Sequence, residues 1–239
     1  PNAPDIILFG MPGTDMLMDY GEDGTLLPLN DLIKENAPNA QAMLDNIDGL
    51  AQLVSAPDGN IYSFWKVWDN PNETIPNKQF VFLPWLEKYT AATGKGMPET
   101  LDEFRDVLVY FRDHDMNGNG DPSDEIPLLG TYAYDHEGSD PLYWIMNCFT
   151  YFPMNLTYVK DGKAAFAPQG EDYREGLKYV HQLVVDGLLD ELTYTQDLNQ
   201  YRAVVNATSA DSMVVGVAAA PYYMRFITQS IFAEAYDTF

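Results

Sequence analysis

The stretch that most constrains this chain is Asp115-Met116-Asn117-Gly118-Asn119-Gly120-Asp121-Pro122-Ser123-Asp124-Glu125-Ile126-Pro127. Oxygen-bearing side chains recur at every second position from Asp115 to Asn119, Gly120 follows for a sharp turn, and acids close the loop. Hard cations are bound by such oxygen sets, and in the EF-hand pattern ligands fall at loop positions 1, 3, 5 and 7, with glycine at 6 and a bidentate glutamate at 12. Here Asp115, Asn117 and Asn119 take the first three places, Gly120 the sixth, and Asp121 offers its backbone carbonyl at the seventh. The tail departs from the pattern: position 12 is Ile126, and Glu125 comes one place early. The closing ligands are therefore Asp124, Glu125 or both, and the expected guest is a structural Ca2+. A plain surface turn is the competing explanation, since Asn, Asp and Gly are favoured in turns for local reasons.

The loop is entered from a strongly marked helix. Thr100-x-x-Glu103 is a capping box, and Leu101, Phe104, Val107, Leu108 and Phe111 repeat at helical spacing. It is left through Ile126-Pro127-Leu128-Leu129, which reads as a strand and not as the second helix of a paired EF-hand. Further buried strands are expected at Asp5–Phe9, Phe80–Leu83 and Met213–Ala220, and an aromatic strand at Ile61–Trp68, with Tyr62, Phe64, Lys66 and Trp68 on one face and Trp65 on the other. Asn30 or Asp31 is expected to cap a short helix, Met43 to Val54 to be helical, and Pro84 to open the helix of Trp85 and Leu86. Asp161-Gly162 marks a hairpin, Tyr173 to Leu188 an amphipathic helix ending near Gly187, and Tyr223 to Tyr236 a closing helix. Strands and helices intermingle throughout, so the fold class is α/β.

Charge and chemistry narrow the function. With 13 basic and 36 acidic residues the net charge is −23, which repels nucleic acid and anionic membrane surfaces alike. The one cysteine, Cys148, sits in an apolar setting that suits a buried thiol, and no disulfide framework is possible. No G-x-S-x-G, H-E-x-x-H, P-loop or complete G-x-G-x-x-G occurs, and the three histidines, His114, His136 and His181, read as surface or packing residues. Aromatic residues make up 13% of the chain. Pyranose rings present apolar C–H faces that stack on Trp or Tyr while amides and carboxylates take the hydroxyls. Trp65, Trp68 and Asp69 have that mixture within five residues, and Tyr132, Trp144 and Tyr222 are further candidates for a sugar-binding surface, with core packing as the alternative for each.

Several stretches, in order, resemble the solute-binding lipoproteins of bacterial carbohydrate ABC importers, of the extracellular solute-binding protein family 1 type. They are Pro4–Ile7, Leu27–Ile33, Ala56–Tyr62, Trp85–Lys88, Met97–Phe104, the loop ending Asp124-Glu125-Ile126-Pro127, Asp161–Lys163 and the helix from Tyr173 followed by Thr195-Gln196-Asp197. The resemblance implies a type II periplasmic-binding-protein-like fold, two lobes joined by a hinge, with an oligosaccharide clamped between them and delivered to a membrane permease. It implies an extracellular or periplasmic location, as a membrane-anchored lipoprotein, and no catalysis. Alginate-oligosaccharide binders of this type carry a similar calcium loop, D-x-N-x-N-x-x-x-D-E, onto which Asp124-Glu125 align only across one inserted residue. By the resemblance, 1–75 is part of the first lobe, 76–212 the second lobe with the calcium loop, and 213–239 a return segment towards the first lobe; the chain is expected to be truncated. Rival readings are a carbohydrate-active hydrolase with paired carboxylates, a peptide or other-solute receptor on the same fold, and a calcium-dependent adhesion module.

Overall fold

The computed structural model describes residues 4–8, 13–67, 78–132, 139–153, 155–207, 209, 212–221 and 236–238. The chain divides into two compact units, Pro1–Trp68 and Asp69–Phe239.

The first unit is helical among its described residues: α1 (Thr14–Glu22), α2 (Asn30–Asn36), α3 (Pro38–Asn46) and α4 (Leu50–Val54). The expected helix from Met43 to Val54 is two helices: α3 ends at Asn46, where Ile47 turns extended, and Gly49, at φ 78° in the left-handed region, leads the chain into α4. Asn30 does not cap α2. Its side chain accepts from Ile61 N (2.9 Å) and donates to the Gly59 carbonyl (3.2 Å), stapling the Pro57–Ile61 turn to the helix start. Around that staple Ile33, Ile61 and Tyr62 are buried. The expected strands at 5–9 and 61–68 are absent from the described residues: 5–8 and 61–67 form no ladder. A strand needs a hydrogen-bonding partner, and without one Ile6, Ile7 and Leu8 remain 76%, 65% and 77% exposed.

The second unit is built on a mixed sheet of order β2-β5-β1-β6, from β1 (Lys78–Phe82), β2 (Ile126–Leu129), β5 (Val215–Ala220) and β6 (Tyr236–Thr238). β5 runs parallel to β2 and antiparallel to β1, which pairs antiparallel with β6 on its other side. Residues 213–220, expected to begin a return to the first lobe, thus supply an interior strand of the second unit, where all six residues of β5 are buried. The expected Tyr223–Tyr236 helix lies outside the described residues except for its last position, Tyr236, which opens β6. β3 (Thr157–Lys160) and β4 (Lys163–Phe166) form the expected hairpin, with positive φ at both Asp161 and Gly162 as a two-residue turn of that kind requires.

Helices pack on both faces of the sheet: α5 (Leu83–Thr93), α6 (Leu101–Asp113), α7 (Pro141–Asn147), α8 (Glu171–Val185) and α9 (Leu198–Val205). The row Leu128, Val217 and Val81 belongs to the main core with Trp85, Phe104, Phe111, Met146 and Leu183. The adjacent row, Leu129, Ala218 and Phe80, packs with Leu198, Tyr201 and Val205 of α9, as the alternation of side chains along strands demands. The capping box of α6 is formed as its spacing predicts. Thr100 Oγ accepts from Glu103 N (3.2 Å) while Glu103 Oε2 accepts from Thr100 N (3.2 Å) and Glu99 N (2.9 Å). Cys148 follows α7 and is exposed, against the expectation of a buried thiol, because α7 turns its Tyr143, Ile145 and Met146 inward instead.

Candidate functional site

Two features of the second unit bear on function: the loop between α6 and β2, and a buried polar layer at the carboxyl ends of β2 and β5.

In the loop Asp115, Asn117, Asn119 and Asp121 each fold a side-chain oxygen back on the backbone. Asp115 accepts from Gly118 N (2.6 Å) and Gly120 N (2.9 Å) through its two oxygens, Asn117 from Asn119 N (2.9 Å), and Asn119 from Asp121 N (2.7 Å). Gly118 and Gly120 have φ of 81° and 92°, so glycine is required at both for the turn. Asp121 caps Ser123, and Asp124 accepts from the amide groups of Asn117 and Asn119. Residue 116 bolts the loop to the fold: its side chain is buried in the core, its N–H donates to Glu125 Oε1 (2.7 Å), and its carbonyl accepts from Lys88 Nζ of α5 (2.7 Å).

Glu125 is the unusual member. Its side chain is buried, Oε1 accepts from Met116 N and Asn117 N, and Oε2, also buried, has no partner among the described residues. Burial pushes its carboxyl above the ordinary glutamate range, with the charge of Asp124 acting in the same direction against the two backbone donors. A buried carboxylate oxygen without a partner calls for a physical reason, and the side chains around it carry oxygen donors of the kind calcium takes. Among the described residues no three His, Cys, Asp or Glu side chains converge closely enough to make a metal centre by themselves. The amide oxygens and the Asp121 carbonyl are therefore needed to complete one. His114, next to Asp115, is exposed and stacks on Tyr110 at 4.0 Å.

The second feature is a layer of buried polar side chains where the chain leaves β2. The Gly130 N–H donates to Thr193 Oγ (3.2 Å) and its carbonyl accepts from Gln196 Nε2 (2.7 Å). Thr131 Oγ donates to the Gln196 carbonyl (2.8 Å), Thr131 N to the Ser139 carbonyl (2.8 Å), and Tyr132 N to the Thr193 carbonyl (2.8 Å). Asp140, buried, accepts from Leu142 N at the start of α7. Burial first, and then the charge of Asp140, raises the phenols of Tyr143 and Tyr194, the latter to about 12. Gln79 and Ser139 are fully buried too.

Of the residues that the sequence offered for sugar binding, Tyr132 stands at this layer and is 54% exposed. Trp144 lies on α7, partly buried, with its ring 5.1 Å from Phe104 at the margin of the main core. Trp65, in the first unit, is half-buried and stacks on the exposed Phe64 at 6.1 Å. Trp68, Asp69 and Tyr222 lie outside the described residues. Sequence reasoning missed Gln79, Ser139 and Asp140. The one available signal was a glutamine directly ahead of the apolar run Phe80-Val81-Phe82 of β1.

No family model matches the chain. A fructooligosaccharide ABC transporter substrate-binding protein, FusA of Streptococcus pneumoniae, is 32% identical over 194 residues, 78% of this chain and 35% of that protein. The structure of S. pneumoniae FusA in complex with kestose superposes over 95% of this chain and 44% of its own, at 28% identity and TM-score 0.72. This chain is a relative of the substrate-binding proteins of carbohydrate ABC transporters. It spans between about a third and under half of the length of the relatives it matches. A FusA EF-hand mutant in complex with fructo-nystose matches equally well, at TM-score 0.70 and 27% identity over 95% of this chain and 44% of that one. An alginate-binding protein, AlgQ2, described without calcium ion, shares the fold at 22% identity and TM-score 0.64, covering 88% of this chain and 39% of that one. The α/β fold expected from the sequence is thus that of solute-binding proteins, and the relatives named are binding proteins, not enzymes.

Proposed function

We propose that this chain belongs to the solute-binding component of an ABC importer and holds an oligosaccharide without breaking a bond in it. The observation that carries this reading is the likeness to FusA, which extends over 78% of the chain. The structure supports it with a polar layer at the carboxyl ends of β2 and β5, the place where open α/β sheets hold their ligands. Tyr132 offers a half-exposed ring there, and Trp65 and Trp144 serve as further stacking surfaces, with Trp68, Asp69 and Tyr222 as sequence-based candidates beside them. The protein's partner is a membrane permease, and its place is outside the cytoplasmic membrane, as an anchored lipoprotein or in a periplasm. Among the described residues no helix is long and apolar enough to cross a membrane.

The loop between α6 and β2 holds a structural Ca2+ in this reading. Asp115, Asn117, Asn119 and the Asp121 carbonyl supply oxygen ligands, and Glu125 closes the site through the buried Oε2 that lacks a partner, while Asp124 braces the two amides. The ion braces the exit of α6 and the entry to β2; it takes no part in chemistry on the sugar.

The test is a thermal-shift panel on the intact protein with neutral oligosaccharides, oligouronates and peptides, followed by mass spectrometry of the recovered ligand. A saturable shift with a sugar that is recovered whole supports the receptor. Shortened products would identify a hydrolase, and a shift with peptides alone a receptor of another class.

A further inference from the structure

Gln79 is 0% exposed, and neither its amide oxygen nor its amide nitrogen has a hydrogen-bond partner among the described residues. Ser139 Oγ, equally buried, is in the same condition. Buried polar groups left unpaired are rare in native proteins, and each calls for a physical reason.

The register puts Gln79 and the strand end that Ser139 covers on one face of the sheet. Gln79 stands opposite Ala219 on β5, and Ala218 stands beside Leu129 on β2, so the next row across the sheet is Gln79, Ala219 and Gly130. Two of its three members have a methyl group or no side chain, which leaves room over the row for the glutamine amide. The segment Ser139–Pro141 covers the far end: a Cβ at Gly130 would lie 2.5 Å from the Ser139 carbonyl and too close to Pro141 Cδ. α7, which starts at Pro141, also packs against β1, the strand that carries Gln79. The row lies one step inside the carboxyl edge of β2 and β5, where Tyr132 and Lys78 reach solvent.

We infer that Gln79 and Ser139 form a neutral amide–hydroxyl subsite that takes a hydroxyl group of an uncharged oligosaccharide and rejects a uronate. An amide and a hydroxyl each both donate and accept, which matches a sugar hydroxyl, whereas a carboxylate only accepts. Asp140, buried next to Ser139, adds a negative charge that opposes bringing a second anion into the same low-dielectric layer. The inference rests on the solute-binding role proposed above and sharpens it from oligosaccharides to uncharged ones.

The experiment uses the intact protein, kestose and an oligouronate of the same length, with dissociation constants and melting curves measured for wild type, Gln79→Met and Ser139→Ala. Methionine preserves the volume of glutamine without its polar atoms. The expected result is at least about a tenfold loss of kestose affinity in Gln79→Met, the equivalent of one hydrogen bond to the ligand, at an unchanged or raised melting temperature. Kestose binding within about twofold of wild type in Gln79→Met overturns the inference and leaves the pair to a buried water. Wild-type selectivity tests the same claim without any variant: the oligouronate should bind at least about a hundredfold more weakly than kestose, and equal binding overturns the inference. Failure of the wild type to bind any sugar overturns the solute-binding role and this inference with it.

Discussion

Replacing Glu125 separates what the carboxylate does for the fold from what it does for a cation. Its Oε1 is the acceptor for Met116 N at 2.7 Å and, more weakly, Asn117 N at 3.3 Å. Glu125→Ala leaves the buried Met116 N–H without an acceptor, a loss of about 1–3 kcal/mol whether or not metal is present. Glu125→Gln keeps an acceptor at Oε1 and removes only the charge and the second oxygen. Because burial already disfavours the ionised form of Glu125, that variant should match or exceed wild-type stability in chelator. Calcium reverses the order. With a dissociation constant of about 0.1–1 mM, as in extracellular calcium modules, 10 mM Ca2+ adds about 1.4–2.7 kcal/mol to the wild type. For a unit of this size that is a rise in melting temperature of about 3–10 °C. Melting curves in EDTA and in 10 mM CaCl2 therefore form a four-way comparison in which only wild type should gain. An equal calcium-induced rise in Glu125→Gln, or no rise in wild type, would refute the assignment of Oε2 as a ligand.

Two further outcomes follow from packing and charge. Gly216→Ala places a methyl group where the rings of Phe111 and Trp85 already stand, closer than contact distance, and overpacking of this kind should lower stability by about 1–3 kcal/mol, read as a fall of about 2–10 °C in melting temperature. Asp186 is held below the ordinary aspartate range by its hydrogen bond from Arg105 (2.6 Å), then by that from Gln182. A depressed carboxyl contributes stability above its unfolded pKa of 3.8 that is lost as pH falls through the lower folded value. Asp186→Asn should accordingly lower the melting temperature at neutral pH and show a shallower acid limb below pH 3.8 than wild type; identical acid limbs would contradict the pairing.

The second unit was readable from sequence where local and tertiary signals agree. Thr100 and Glu103 cap α6 by chemistry confined to four residues, Asp161-Gly162 specifies its own turn, and the all-apolar run before Ala220 can only be an interior strand. The first unit misled where apolar content alone was taken for a strand. Residues 5–8 and 61–67 have strand composition, but a strand also requires a neighbouring backbone, which composition does not encode. The loop from Asp115 to Glu125 stood out in the sequence because its pattern of oxygen-bearing side chains is contiguous; that Glu125 is the buried carboxylate of the closing pair needed coordinates. The polar layer was not legible. Gln79 comes onto the same sheet face as Ser139 and Asp140 through strand register and the crossing of 139–141 over Gly130, relations between residues about sixty positions apart that leave no local periodicity. Trp144 shows the converse: an aromatic residue offered as a stacking platform also packs its ring 5.1 Å from Phe104, a tertiary contact that its local sequence does not reveal.

The most direct measurement is a calorimetric titration of the intact protein with kestose in calcium-containing buffer, with the sugar recovered and weighed by mass spectrometry afterwards. The account predicts a saturable one-site isotherm and unchanged trisaccharide. Absence of heat with kestose and every other oligosaccharide tried, or recovery of cleaved sugar, would contradict it.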